Sequence, residues 1–123
     1  MVEAEGSIAA RAGGELIVIT KAYDLVRELT QRVGKFPRDL RFLLGDRLLR
    51  NAYDLLDVLL EAKFTKANVP LLTRANLQLE QMRFQVRLAH DEKLISARQY
   101  QYVADRIEEV GRLVGGWRRG RGG

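Results

Sequence analysis

Arginine is the chemistry that this 123-residue sequence offers first: sixteen Arg stand against five Lys, within a formal net charge of +5. A guanidinium is planar, makes paired hydrogen bonds to phosphate and stacks on bases, so the bias suits contact with polyanions. Arg83 and Arg87 are one helical turn apart and project from one face, where they could span adjacent phosphates, with Arg74 further back. Glu80 stands three and seven residues from them, so at least one guanidinium needs a carboxylate from another helix or an outside anion. The cationic excess is C-terminal, with six Arg against three acids over residues 96–123. The chain closes on Arg118, Arg119, Gly120, Arg121, Gly122 and Gly123. Such an Arg/Gly segment can contact nucleic acid without sequence preference, or simply keep a chain soluble.

Other chemistries find no residues to carry them. The sequence has no Cys and one His, which leaves no disulfide scaffold, thiol nucleophile or metal cage. A carboxylate-bridged metal pair needs Glu-x-x-His, but Arg87 stands three residues before His90. His90 and Lys93 have the spacing of a phosphotransfer histidine and its lysine, yet Asp91 and Glu92 follow at once and would repel an incoming phosphoryl group. Asp54 and Asp57, like Glu108 and Glu109, read as solvated helix charges among basic residues. No glycine cluster makes a phosphate loop. We expect no enzyme, no cofactor and no metal. No apolar run reaches the roughly 18 residues of a membrane span, and Glu3 and Glu5 give an acidic start, so a cytoplasmic protein is expected.

The elements that must position these arginines are helices. Two prolines, Pro37 and Pro70, punctuate a chain dominated by Leu, Ala, Arg, Glu and Gln. Leu16, Ile19, Ala22, Tyr23, Val26, Leu29 and Val33 recur at three and four, predicting a first helix that ends near Gly34. Residues 1–14, with little apolar pattern, are expected to be a flexible tail, and residues 119–123 a second one, leaving a bundle domain over 15–118. A second helix over about 38–63 carries two apolar stripes. Leu40, Leu44, Leu48, Ala52, Leu55, Leu59 and Ala62 form one; Leu49, Tyr53, Leu56 and Leu60 form another about 100° around. The second stripe belongs either to a wide buried face or to a contact with another protomer. Leu71, Ala75, Leu79, Met82, Val86 and Ala89 mark a third helix, with Leu77, Phe84 and Leu88 widening its apolar face. Ser96 and Gln99 form a capping box that starts a fourth, seamed by Tyr100, Val103, Ile107, Val110, Val114 and Trp117. Gly111 and Gly115 each cost that helix about 1 kcal/mol against Ala, which tight packing with a neighbouring helix, within or between chains, would offset, Trp117 serving as the adjacent anchor. Short connectors make the four helices antiparallel neighbours: an all-α, up-down-up-down four-helix bundle.

Three stretches carry a resemblance: Arg83-Phe84-Gln85-Val86-Arg87, then Ile95-Ser96 with Gln99-Tyr100, then the run from Glu109 to Trp117 through Gly111, Arg112 and Gly115. The chain resembles the accessory variability determinants of diversity-generating retroelements over roughly residues 16–119. That family is related to bundle proteins encoded in intervening sequences of bacterial ribosomal RNA genes. The resemblance implies a homopentameric barrel of bundles that binds the element's reverse transcriptase and its structured template RNA, supporting mutagenic cDNA synthesis without being a polymerase. It implies that Arg83, Arg87 and Arg112 contact RNA or enzyme, and that Gly111, Gly115 and Trp117 are packing positions. The ribosomal relatives imply the alternative, an oligomeric scaffold that binds protein only.

Overall fold

The computed structural model describes residues 2–122, with side chains over residues 13–120. The chain forms helix α1 (Val2–Val33), a short helix α2 (Arg38–Leu40), a π-helical segment (Arg41–Gly45), α3 (Asp46–Lys63), α4 (Val69–Asp91) and α5 (Ala97–Gly122), with no strand among the described residues. Backbone angles at Leu40, Arg41, Gly45 and Asp46 are all right-handed helical. Residues 38–63 therefore run as one rod, and the molecule is an all-helical four-helix bundle. α1 packs on α3, α3 on α4, α4 on α5 and α5 back on α1, a square in which chain neighbours are space neighbours.

The predicted stripes supply the core. Leu25, Leu29, Leu48, Leu55, Leu59, Leu72, Leu79, Met82, Val103 and Ile107 are almost wholly removed from water. Each apolar side chain so buried contributes roughly 1.5–3 kcal/mol, which opposes the entropy of ordering the helices. The π-helical segment answers a geometric problem in the sequence. Leu40, Leu44, Leu48 and Ala52 recur at four, and each step of four drifts about 40° around an α-helix. A wider turn absorbs that drift and keeps Leu44 and Leu48 on the core. Gly45 closes the segment against the end of α1, where an added Cβ would lie 2.5 Å from Val33 Cγ1. Only a glycine leaves that space.

The connectors follow local rules. α1 stops at Val33, and Pro37 prevents its renewal while Phe36 turns into the core. The buried Asn68 donates from Nδ2 to the Ala62 carbonyl at 3.0 Å, tying α3 to the start of α4. After α4, Lys93 takes a left-handed conformation with φ 63°, and the Leu94 amide donates to the Ala89 carbonyl. The capping box forms as expected: the Ser96 amide donates to Gln99 Oε1 at 2.8 Å and the Gln99 amide to Ser96 Oγ at 3.1 Å.

Gly13 and Gly14 lie inside α1, and Arg118, Arg119 and Gly120 inside α5. The side chains of residues 1–12 and 121–123, where most of both expected tails fall, lie outside the described residues. The second stripe of residues 38–63 divides: Leu49 and Leu56 are half-buried against the core, whereas Tyr53 and Leu60 stay exposed. Among the described residues no helix is long and apolar enough to cross a membrane.

Candidate nucleic-acid interface

Five of the predicted arginines are exposed on α4 and α5; Arg83 reaches across from α4 to α5, whereas Arg112 borders a cavity with Gly14, Glu15 and Val18 of α1. Arg83 and Arg87 project from consecutive turns of α4, and both are exposed. Their nearest carboxylates hold them loosely: Arg83 Nε lies 3.7 Å from Glu80 Oε2, and Arg87 Nε 3.8 Å from Asp91 Oδ2. Arg112 on α5 is the same, with Nη1 3.9 Å from Glu108 Oε1. A charge-assisted N–H···O hydrogen bond closes to about 2.7–2.9 Å, so these three are loose surface ion pairs without a hydrogen bond, worth little in water, and their donors can turn to another anion. Arg118 and Arg119 continue the cationic face along the last turns of α5, both exposed.

The glycines of α5 form the floor of this face. The Arg83 guanidinium lies across Gly111, where a Cβ would meet Nη2 at 3.6 Å, and that of Arg119 lies over Gly115, where a Cβ would meet Nη1 at 3.3 Å. Gly111 is thus met by a side chain of α4, and Gly115 by one of its own helix. Within the chain, guanidinium tips and no helix backbone lie nearest both glycines. Trp117 is half-buried against the core, with its Nε1 buried and without a hydrogen-bond partner.

Two predicted positions fall elsewhere. Arg74, nine residues before Arg83, lies half a turn around α4 from it, away from this cluster. The side chain of Arg121 is outside the described residues.

The seam between α1 and α5 holds charges that sequence reading took for solvated ones. Lys21 Nζ reaches Glu109 Oε1 at 3.3 Å, and Arg106 Nη1 meets Glu109 Oε2 at 3.1 Å. The Tyr102 ring lies between two guanidiniums, 5.7 Å from that of Arg32 and 4.9 Å from that of Arg106, and Arg32 also pairs with Glu28. Lys21 holds the Glu109 carboxyl below the ordinary carboxylate range, against an opposing push from partial desolvation. Lys21 and Glu109 are 88 positions apart, so no local spacing could have paired them.

His90 does not form a phosphotransfer site. Its Nδ1 sits 3.1 Å from Asp91 Oδ1, its ring lies 5.1 Å from Tyr100, and Lys93 has already left the helix. Among the described residues no group of His, Asp and Glu is placed to hold a metal ion.

A family model described as bAvd-like matches residues 16–120 of the chain. No curated protein matches it.

Proposed function

This chain belongs to the bAvd-like family of accessory proteins, and on that premise we propose that it serves a diversity-generating retroelement by binding the element's reverse transcriptase and its structured template RNA. In this reading the protein is not catalytic. It assembles as a homopentamer, and the exposed arginines of α4 and α5 in each protomer, Arg83, Arg87, Arg112, Arg118 and Arg119, grip RNA phosphates. The observation that supports it is the looseness of the Arg83, Arg87 and Arg112 pairs, since donors that no internal carboxylate satisfies are free to meet phosphate. Symmetry multiplies the effect. A single face of this kind binds weakly, whereas several copies held together present many simultaneous phosphate contacts and a steep salt dependence.

The test is fluorescence anisotropy of a labelled structured RNA titrated with the full chain at several salt concentrations. Affinity should fall linearly with the logarithm of salt, with a slope near the number of phosphates neutralised. Absence of binding at low salt would overturn the RNA arm.

A second reading, the protein-only scaffold of the ribosomal intervening-sequence type, is favoured by one observation: exposed apolar side chains on α1, α3 and α4. It predicts polymerase capture that survives nuclease treatment together with no RNA affinity.

A further inference from the structure

Between α1 and the last turns of α5 lies a cavity of about 430 Å³, a volume in the range of small-ligand sites. Among the described residues, Gly14 and Glu15 stand on its α1 side and Gly116, Trp117 and Gly120 on its α5 side, with Arg112 at the edge. The glycines hold it open. An added Cβ at Gly14 or Gly120 would meet nothing within 4 Å, and one at Gly116 only the tip of Arg119 at 3.9 Å. No described glycine has a positive φ, so neither backbone conformation nor a tight crossing asks for glycine at these positions. Each weakens its helix relative to alanine, and what the three have in common is the space they leave between α1 and α5.

Three groups border that space. Glu15 is 8% exposed, a carboxylate taken almost wholly out of water. Trp117 lies opposite, and because its Nε1 is buried, what it offers an occupant is the face of its ring. Arg112 is exposed, its guanidinium held only loosely by Glu108 at 3.9 Å. The Lys21–Glu109 pair sets the register of the antiparallel α1 and α5, so that Glu15 is level with residue 115. At 1.5 Å per residue, Trp117 then stands about 3 Å from Glu15 along the axis, and Arg112 about 4.5 Å to the other side.

The chemistry of these groups selects the occupant. An indole face takes a flat ring by stacking, a guanidinium takes a phosphate, and a carboxylate, with about four lone-pair sites, accepts several donors at once. Guanine alone among the four RNA bases carries two adjacent donors, N1–H and the N2 amino group, which match the two oxygens of a carboxylate. Adenine and cytosine set a ring-nitrogen lone pair beside their amino group, and uracil flanks N3–H with carbonyl oxygens, so each would turn a lone pair on Glu15. A cation also suits a buried carboxylate, but Arg112 at the edge and a net charge of +5 oppose its approach.

We propose that the cavity between α1 and α5 binds an unpaired guanosine of RNA, with the base stacked on Trp117, its N1–H and N2–H donating to Glu15, and its phosphate held by Arg112. This rests on the RNA-binding reading and deepens it: the arginines grip any phosphate chain, whereas the cavity distinguishes one base from the others.

Trp117 is the single tryptophan of the chain, so its fluorescence reports on this cavity alone. The experiment titrates the full chain with single-stranded oligouridylate hexamers carrying one guanosine, adenosine or cytidine, alongside the anisotropy of structured RNA, with circular dichroism to follow helix content. The guanosine hexamer should quench Trp117 saturably, at about tenfold lower concentration than the others. Glu15→Gln, which replaces one acceptor oxygen by a donor, should bring the guanosine hexamer to the level of the others. Gly14→Leu should fill the cavity and abolish the quenching at unchanged helicity. Quenching that is absent, equal for all hexamers or unaltered in both variants overturns the pocket, while salt-dependent binding of structured RNA keeps the RNA reading standing. Quenching by argininamide in place of the guanosine hexamer gives the cavity to a protein side chain and likewise overturns it. A wild type that binds no structured RNA overturns both.

Discussion

Two edges of α5 use the same residue types to opposite ends. Along α1 its charges are absorbed: Glu109 takes Lys21 and Arg106 at 3.3 and 3.1 Å, and Tyr102 lies between two guanidiniums. On the outer side the guanidiniums of Arg83, Arg87 and Arg112 stand 3.7 to 3.9 Å from their nearest carboxylates, and that of Arg83 lies across Gly111. The first edge is a staple between helices that are far apart in sequence. The second is a cationic surface that the fold leaves unspent. An arginine count cannot separate the two, because what distinguishes them is whether a carboxylate from another helix closes to hydrogen-bonding distance.

The comparison can be broken most directly by removing the open edge. Arg83→Ala, Arg87→Ala and Arg112→Ala together should lower RNA affinity about 100-fold near physiological salt and reduce the salt slope by about three, with no change in thermal melting. A fall in melting temperature of the same triple variant would instead mark these arginines as structural. The glycines sharpen the contrast at smaller scale. Gly45→Ala forces a Cβ against Val33 in a closed seam and should cost about 1–3 kcal/mol in urea unfolding. Gly111→Ala meets only the tip of Arg83 at an ordinary 3.6 Å and should stabilise by about 0.5–1 kcal/mol through helix propensity. Equal effects at the two glycines would remove the distinction between seam and face. The smallest effect is electrostatic. Because the Glu109 carboxyl is held low by Lys21, its pair contributes stability above the ordinary carboxylate range and loses that contribution as pH falls through the lowered value. The melting difference between wild type and Glu109→Gln should therefore be present near neutral pH and vanish in acid.

Much of the bundle was legible before its coordinates. The first stripe of residues 38–63 is buried from Leu44 to Ala62 as its spacing required, with Leu40 at its start only half-buried, and Ser96 with Gln99 caps α5 as the capping-box pattern required. The π-helical segment over Arg41–Gly45 lies inside the stretch that the sequence reads as one uninterrupted helix. The site was less legible. Arg83 and Arg87 were placed on one exposed face by their interval alone, but the flat approach of Arg83 to Gly111 depends on how α4 and α5 register. Gly111 and Gly115 read as positions for a close helix within or between chains, and within the chain the nearest atoms to both are guanidinium tips.

What this sequence determined by itself is local: where helices start and stop, which stripe each presents and how many there are. Those features depend on hydrogen bonds four residues apart and on apolar periods of three and four, all within one turn of the residues that encode them. Only the tertiary structure decided which charges are consumed and which remain. Lys21 with Glu109, Arg83 over Gly111 and Val33 against Gly45 join residues on different helices, and their meeting is set by the relative height and rotation of those helices. That register is a property of the packed core as a whole, in which every large side chain must find its space at once.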